Sequence, residues 1–160
     1  PDKTFDPTYV HDGAWLFLDN IQDPGNVGTL VRTADAAGFR GVVLGTGTAD
    51  AYSPKVVRAM QGSQFHLEIL NGDLHEWTDA LTANGLPVYG SQLNEAAKSY
   101  RTIQPSTQFA LIVGNEGQGM AESLADKTTA NLYIPIQGQA ESLNVAIAGG
   151  ILMFSLAAGN

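Results

Sequence analysis

Asn26, Arg32, Glu116, Ser142 and Asn144 stand in or just beyond three polar loops, each of which follows an apolar run. The first loop, residues 19–26, holds the turn pair Pro24-Gly25 and ends on Asn26, a residue type that caps helices. Gly28 leaves one side of the next turn bare, and Arg32 lies four residues on, on the same face. A guanidinium there can bind a phosphate or a carboxylate, aided by the helix N-terminus. The plainer alternative is that Asn26 only caps the helix and Arg32 pairs with Asp35 at the surface.

The second loop, Gly114-Asn115-Glu116-Gly117-Gln118-Gly119, carries three glycines, which admit a ligand close to the backbone or simply make a tight turn. Glu116 comes straight after a buried run, where a lone carboxylate needs a partner. The third loop, residues 135–141, leads into Ser142-Leu143-Asn144. Ser142 is a candidate helix cap, and Asn144 falls in the first turn, where both polar groups can orient a ligand or only satisfy the backbone. None of the loops contains a histidine, and Ser142 has no base near it in sequence. A reaction run from these loops therefore relies on placement and charge stabilisation more than on proton shuttling.

The elements that must position these loops follow from apolar patterning. Strands are expected at 14–18, 41–45, 65–70, 109–113 and 132–134, with an extended stretch at 86–89. Helices are expected at 27–37, from Pro54 behind a Ser53 cap, at 74–84, around 120–125, and from near Ser142 to Ala158. Residues 92–106 fit neither pattern. Short apolar strands alternating with helices define the α/β class, with a mostly parallel sheet flanked by helices, in which ligands bind at the carboxyl ends of the strands. All three polar loops fall at such ends. The last helix is apolar nearly all round, so it is buried in the core or in part by a second subunit.

Composition narrows the function classes. A chain of 160 residues with 44% hydrophobic and 15% charged residues forms one domain with a real core. Eight Lys and Arg against 16 Asp and Glu give a net charge of −8, which argues against a broad basic surface coating nucleic acid but leaves room for a local basic site. Lys55 and Arg58, with Arg32 and Arg40, are the candidates for such a patch. The absence of cysteine excludes disulfide scaffolds, thiol catalysis and thiolate metal centres, and His11, His66 and His75 match no zinc spacing, so no metal is expected. Neither a membrane span nor a signal peptide is found, and a cytoplasmic location is expected. Neither a dinucleotide fingerprint nor a phosphate loop is present, which demotes a general nucleotide-binding fold.

The run Asp23-Pro24-Gly25-Asn26-Val27-Gly28 through Arg32-Thr33-Ala34 to Ala37-Gly38 resembles motif 1 of the SpoU (TrmH-like) family of RNA ribose 2′-O-methyltransferases, in the SPOUT superfamily. Residues 114–119 resemble its motif 2. Ile134-Pro135, Gly138 and Ser142-Leu143-Asn144-Val145-Ala146 resemble motif 3, and residues 53–67 are also similar. The resemblance spans about residues 14 to 157 and implies S-adenosyl-L-methionine as cofactor, bound in a C-terminal deep trefoil knot. It implies cofactor contacts at Ser91, Gly114, Asn115, Gly119, Ile134, Ile136, Ser142 and Leu143. It also implies in-line methyl transfer to a ribose 2′-oxygen, for which accounts of the family cast the motif 1 arginine as the base. Because a guanidinium has donors and no acceptor, Arg32 is expected instead to hold the target phosphate, with Asn26, Glu116, Ser142 and Asn144 positioning Arg32, the ribose and the loops. A homodimer through the knot region and C-terminal helix is expected, with the Gly149-Gly150 pair allowing close packing there.

The expected substrate is structured RNA, ribosomal more than transfer RNA. The alternatives are a transfer RNA ribose or base methyltransferase of the same superfamily, and a non-catalytic RNA-binding module. Because the chain opens on Pro1, it is expected to be a SpoU-type catalytic domain over 1–160 that lacks an N-terminal RNA-binding domain.

Overall fold

The computed structural model describes residues 12–159; Pro1 and His11 lie outside them. The first strand, β1 (Ala14–Asp19), is buried along its length up to Asp19. Its side chains alternate between two cores. Leu16 and Leu18 join Leu30, Val31, Leu111, Val113, Leu152 and Leu156 on one face, while Trp15 and Phe17 join Val43, Leu70, Trp77 and Ile112 on the other. A strand covered on both faces must be apolar at every position, which is why this sequence shows continuous apolar runs. Each large side chain so buried contributes about 1.5–3 kcal/mol relative to exposure.

Helix α1 (Pro24–Ala36) leads to β2 (Gly41–Leu44), and α2 (Pro54–Met60), capped by Ser53, leads to β3 (Glu68–Asn71). Then follow α3 (Leu74–Ala83), β4 (Val88–Ser91) and the two-residue β5 (Lys98–Ser99). The chain continues through β6 (Phe109–Gly114), α4 (Glu122–Ala125), β7 (Ala130–Tyr133) and α5 (Val145–Leu156). The sheet is parallel throughout, in the order β3-β2-β1-β6-β4-β7-β5. Chain order and sheet order part company after β3. Strand β6 inserts between β1 and β4, and β7 inserts between β4 and β5.

Register then aligns the strand ends that matter. Asp19 is level with Gly114, Val113 with Ser91, and Ser91 with Leu132. The starts of the first two polar loops are therefore neighbours, although some 95 residues separate them in sequence.

Several expected bounds shift, each for a local reason. Helix α1 begins three residues early because Asp23 is its cap: the Asp23 Oδ1 accepts the Asn26 N–H at 3.1 Å, with Pro24 at the first helical position. Asn26 is therefore inside the first turn and is not the cap. Helix α5 begins at Val145 because Asn144 caps it, its Oδ1 accepting from Ala146 N at 2.8 Å and Ile147 N at 3.2 Å; Ser142 is not the cap. The expected strand over 65–70 is preceded by a tight turn at Ser63–Phe65 and begins only at Glu68. The unassigned 92–106 stretch holds β5 and a short turn at Tyr100–Thr102.

Two glycines mark close helix contacts. A Cβ on Gly28 would lie 2.2 Å from the Ala59 Cβ and 2.9 Å from the Val56 carbonyl oxygen, so α1 and α2 touch backbone to backbone there. A Cβ on Gly149 would lie 2.6 Å from Leu30 Cδ2, so this residue's close packing is used within the chain, between α5 and α1. Gly28→Ala is expected to lower stability by about 1–3 kcal/mol through overpacking, more than the roughly 1 kcal/mol gained in helix propensity. Urea unfolding of the variant checks this, and an unchanged or raised midpoint would refute the contact.

Candidate active site

The three polar loops meet around one carboxylate. Glu116 Oε2 accepts the Asp23 N–H at 2.8 Å and the Asn26 Nδ2 at 3.3 Å, and its Oε1 accepts the Gln22 N–H at 3.2 Å. Asn26 completes the chain of contacts, because its Oδ1 accepts from Asn144 Nδ2 at 3.4 Å. Since Asp23 caps α1, the Asn26 side chain is free to bridge the second and third loops. Asn115 adds a parallel tie: its Nδ2 donates to the Asn20 carbonyl at 2.7 Å, while its Oδ1 accepts from Gly117 N and Gln118 N.

Burial raises the pKa of Glu116, but hydrogen bonds from the backbone N–H groups of Asp23, Glu116 itself and Gln22, and from the Asn26 amide, outweigh it and hold the carboxyl below its usual 4.5. The carboxylate form therefore dominates at neutral pH, as an acceptor facing only N–H donors requires.

Beside this clasp, at the carboxyl ends of β4 and β7, lies a cavity of about 580 Å³. Ser91, Ile134, Ile136, Ser142 and Leu143 line it, so five of the eight cofactor candidates come together. Gln92, Leu93 and Glu141 line it as well. Gly114, Asn115 and Glu116 do not; with Gly119 they build the second loop. Asn115 and Gly119 exchange backbone hydrogen bonds at 3.0 and 2.9 Å, and a Cβ on Gly114 would lie 2.2 Å from Met120 N. Gly119 has φ +74°, the left-handed region that glycine adopts at least cost. Glycine is required here by the loop's own tight closure.

Sequence reasoning missed two ties. The Gln92 Oε1 accepts the Met120 N–H at 3.2 Å, joining the cavity wall to the second loop, and the Asp19 Oδ2 accepts the Ala121 N–H at 2.8 Å. Gln92 sits in the stretch without periodicity, so nothing local marked it.

Arg32 is exposed on α1, six residues beyond Asn26, and among the described residues it makes no ion pair. Asp35 is taken instead by His66 Nδ1 at 3.0 Å, and that bond is the main reason its carboxyl titrates low. Among the described residues no cluster of three His, Cys, Asp or Glu could hold a metal ion, and no helix is long and apolar enough to cross a membrane.

A parallel α/β sheet with a cavity at its strand ends, beside loops tied to each other, is the arrangement in which α/β domains of this class bind small molecules. The particular kind follows from comparison. The chain belongs to the SpoU rRNA Methylase family, whose sequence model matches residues 13–154. It is 53% identical over 141 residues to the 23S rRNA (guanosine(2553)-2'-O)-methyltransferase RlmP of Bacillus subtilis (strain 168), covering 88% of this chain and 56% of that protein. It is 33% identical over 142 residues to a TrmH family tRNA/rRNA methyltransferase of Staphylococcus aureus (strain COL), covering 88% of this chain and 57% of that one. The fold matches an AdoMet-bound rRNA methyltransferase from Sinorhizobium meliloti with a TM-score of 0.87 at 37% identity, over 96% of this chain and 60% of the other. The chain thus spans a little over half the length of the curated relatives it matches.

Glu116→Ala is expected to lower stability by about 0.5–1.5 kcal/mol, the net worth of hydrogen bonds whose exposed donors water can reach once the carboxylate is gone. The pH dependence has a definite sign. A depressed folded pKa contributes stability that is complete above 4.5 and is lost as pH falls through the folded value. The Gln22 and Asp23 amide NMR shifts should therefore titrate with a midpoint below 4.5; a midpoint at or above it would refute the clasp.

Proposed function

We propose that this domain transfers a methyl group from S-adenosyl-L-methionine to a ribose 2′-hydroxyl of structured RNA, ribosomal more than transfer RNA. The observation that carries this reading is the cavity at the ends of β4 and β7, joined through Asn144 and Asn26 to the Glu116 clasp. The walls suit the cofactor. Leu93, Ile134, Ile136 and Leu143 offer apolar surface to an adenine ring, the strand ends offer backbone donors and acceptors, and Glu141 brings a carboxylate to a ligand with cationic groups. S-adenosyl-L-methionine supplies an electrophilic methyl on a sulfonium. The similarity to a 23S rRNA 2'-O-methyltransferase supports the ribosomal choice.

The chain's own residues do the rest. Ser91, Ile134, Ile136, Ser142 and Leu143 hold the cofactor. The Arg32 guanidinium offers five N–H donors and no acceptor, so it acts by stabilising negative charge at the target phosphate and ribose oxygen and not as a base. Asn26, Glu116 and Asn144 are positioning residues that fix the α1 N-terminus against the cavity wall. An RNA substrate fits a cytoplasmic location.

Two features of the fold support finer parts of the reading. The insertion of β6 and β7 between strands laid down earlier, with Ala158 N donating to the Ser106 carbonyl at 3.0 Å beyond α5, suits a C-terminal trefoil knot. Ile147, Ile151 and Phe154 form an exposed apolar stripe on α5, with Ile147 and Phe154 each 58% exposed, which suits a homodimer through that helix.

Calorimetric titration with S-adenosylhomocysteine should show saturable binding near one per chain, and no binding would refute the reading. Arg32→Ala should bind the cofactor product normally and lose about 10²–10³-fold in methylation rate, the usual cost of removing one preorganised donor. Near-normal methylation by that variant would overturn the role of Arg32. Phe154→Asp should shift sedimentation from dimer to monomer; a wild-type monomer would refute the interface.

A further inference from the structure

The chain carries a net charge of −8, yet three of its described cations that make no ion pair stand together on two touching helices. Among the described residues, Arg40 pairs with Asp12 and Glu68, Lys127 pairs with Asp79, and Arg101 lies over the Tyr100 ring. Arg32, Lys55, Arg58, Lys98 and Arg101 make no ion pair. Three of these five stand on α1 and α2, which touch through Gly28 and Ala59, whereas Lys98 is on β5 at the far edge of the sheet and Arg101 in the short turn after it.

Lys55 and Arg58 are three residues apart on α2 and so project from the same face. Both are exposed, and with Asp23, Pro24, Gly25 and Ala59 they line a cleft of about 490 Å³. Asp23 brings the one carboxylate among these residues, and its Oδ1 is engaged in capping α1 through the Asn26 N–H. The cleft adjoins the clasp. Gly25 precedes Asn26, which is hydrogen-bonded to Asn144, and Asn144 follows Leu143 in the cavity wall.

We propose that Lys55 and Arg58 grip the phosphate backbone of the RNA in this cleft, beside the nucleotide presented to the cavity. The proposal rests on the methyl-transfer reading above and adds where the substrate strand lies. A lysine point charge and an arginine fork hold successive phosphates with little demand on base sequence. The acidic remainder of the surface repels the same strand, so the pair sets where RNA lands as well as how tightly it binds. The cleft and the cavity flank the Asn26–Asn144 bond, so a strand held in the cleft has its neighbouring nucleotide within reach of the third loop.

The test is fluorescence anisotropy of the 160-residue chain with a short labelled single-stranded RNA, over about 50 to 200 mM salt. Lys55→Gln/Arg58→Gln should weaken binding roughly tenfold at the low-salt end and reduce the log–log salt slope by about 1.4, at about 0.7 per phosphate contact. Lys98→Gln/Arg101→Gln removes the same formal charge and should leave the slope unchanged. An unchanged slope for the α2 pair, an equal loss in both variants, or no RNA binding by the unsubstituted chain would each overturn the proposal. S-adenosylhomocysteine calorimetry on the same samples separates the two readings. A chain that loses RNA affinity with the α2 pair but binds no cofactor product supports the cleft and refutes the cofactor site.

Discussion

Glu116 is the carboxylate on which the rest of the site depends. It stands at the end of a central strand and accepts hydrogen bonds from two consecutive backbone N–H groups and one side-chain amide, all from the first loop. Those N–H groups belong to Gln22 and Asp23, just before α1, where a chain turning into a helix leaves donors unsatisfied. Through Asn26 the same network reaches Asn144, the cap of α5. One ionised side chain thus fixes the first turns of two helices relative to each other, and the charge makes each of its bonds stronger than a neutral one. Helix α1 carries Arg32 and α5 adjoins the cavity, so the network ties the element bearing this exposed cation to the cavity wall.

The sheet makes that network possible. Had β6 been added at an edge, its loop would have emerged far from the one after β1. Insertion between β1 and β4 instead puts Gly114 level with Asp19 and Val113 level with Ser91, so the second loop lies between the first loop and the cavity. Insertion of β7 beside β4 brings Leu132 level with Ser91 and completes the cavity wall. The cost of this order is topological: late strands must enter places that earlier strands have left open. The two-sided burial of β1 and β6 supplies the apolar stabilisation that offsets it.

Charge follows the same economy. Among its described residues this acidic chain commits Arg40 and Lys127 to surface ion pairs, each worth little in stability. It leaves three uncommitted on the α1–α2 face that adjoins the clasp. A small un-neutralised cluster on an otherwise acidic surface favours one orientation of approach by an anionic partner over many.

Much of this was legible in the sequence. The buried strands were visible as continuous apolar runs, the helices as periodic stripes, and the three polar loops as breaks at strand ends, because these are local patterns with a local physical cause. The polar residues Asn26, Arg32, Glu116, Ser142 and Asn144 were identifiable, but their duties were not. Asn26 and Ser142 read as helix caps, and only the structure shows Asp23 and Asn144 in those places, since capping depends on which of several nearby oxygens meets the N–H groups. Gln92 and Asp19 gave no signal, because their partners lie 28 and 102 residues away. Strand order decided the rest. Sequence determines which segments are strands, but each buried strand is equally apolar on both sides, so its choice of neighbours, and with it the meeting of the three loops, exists only in the folded chain.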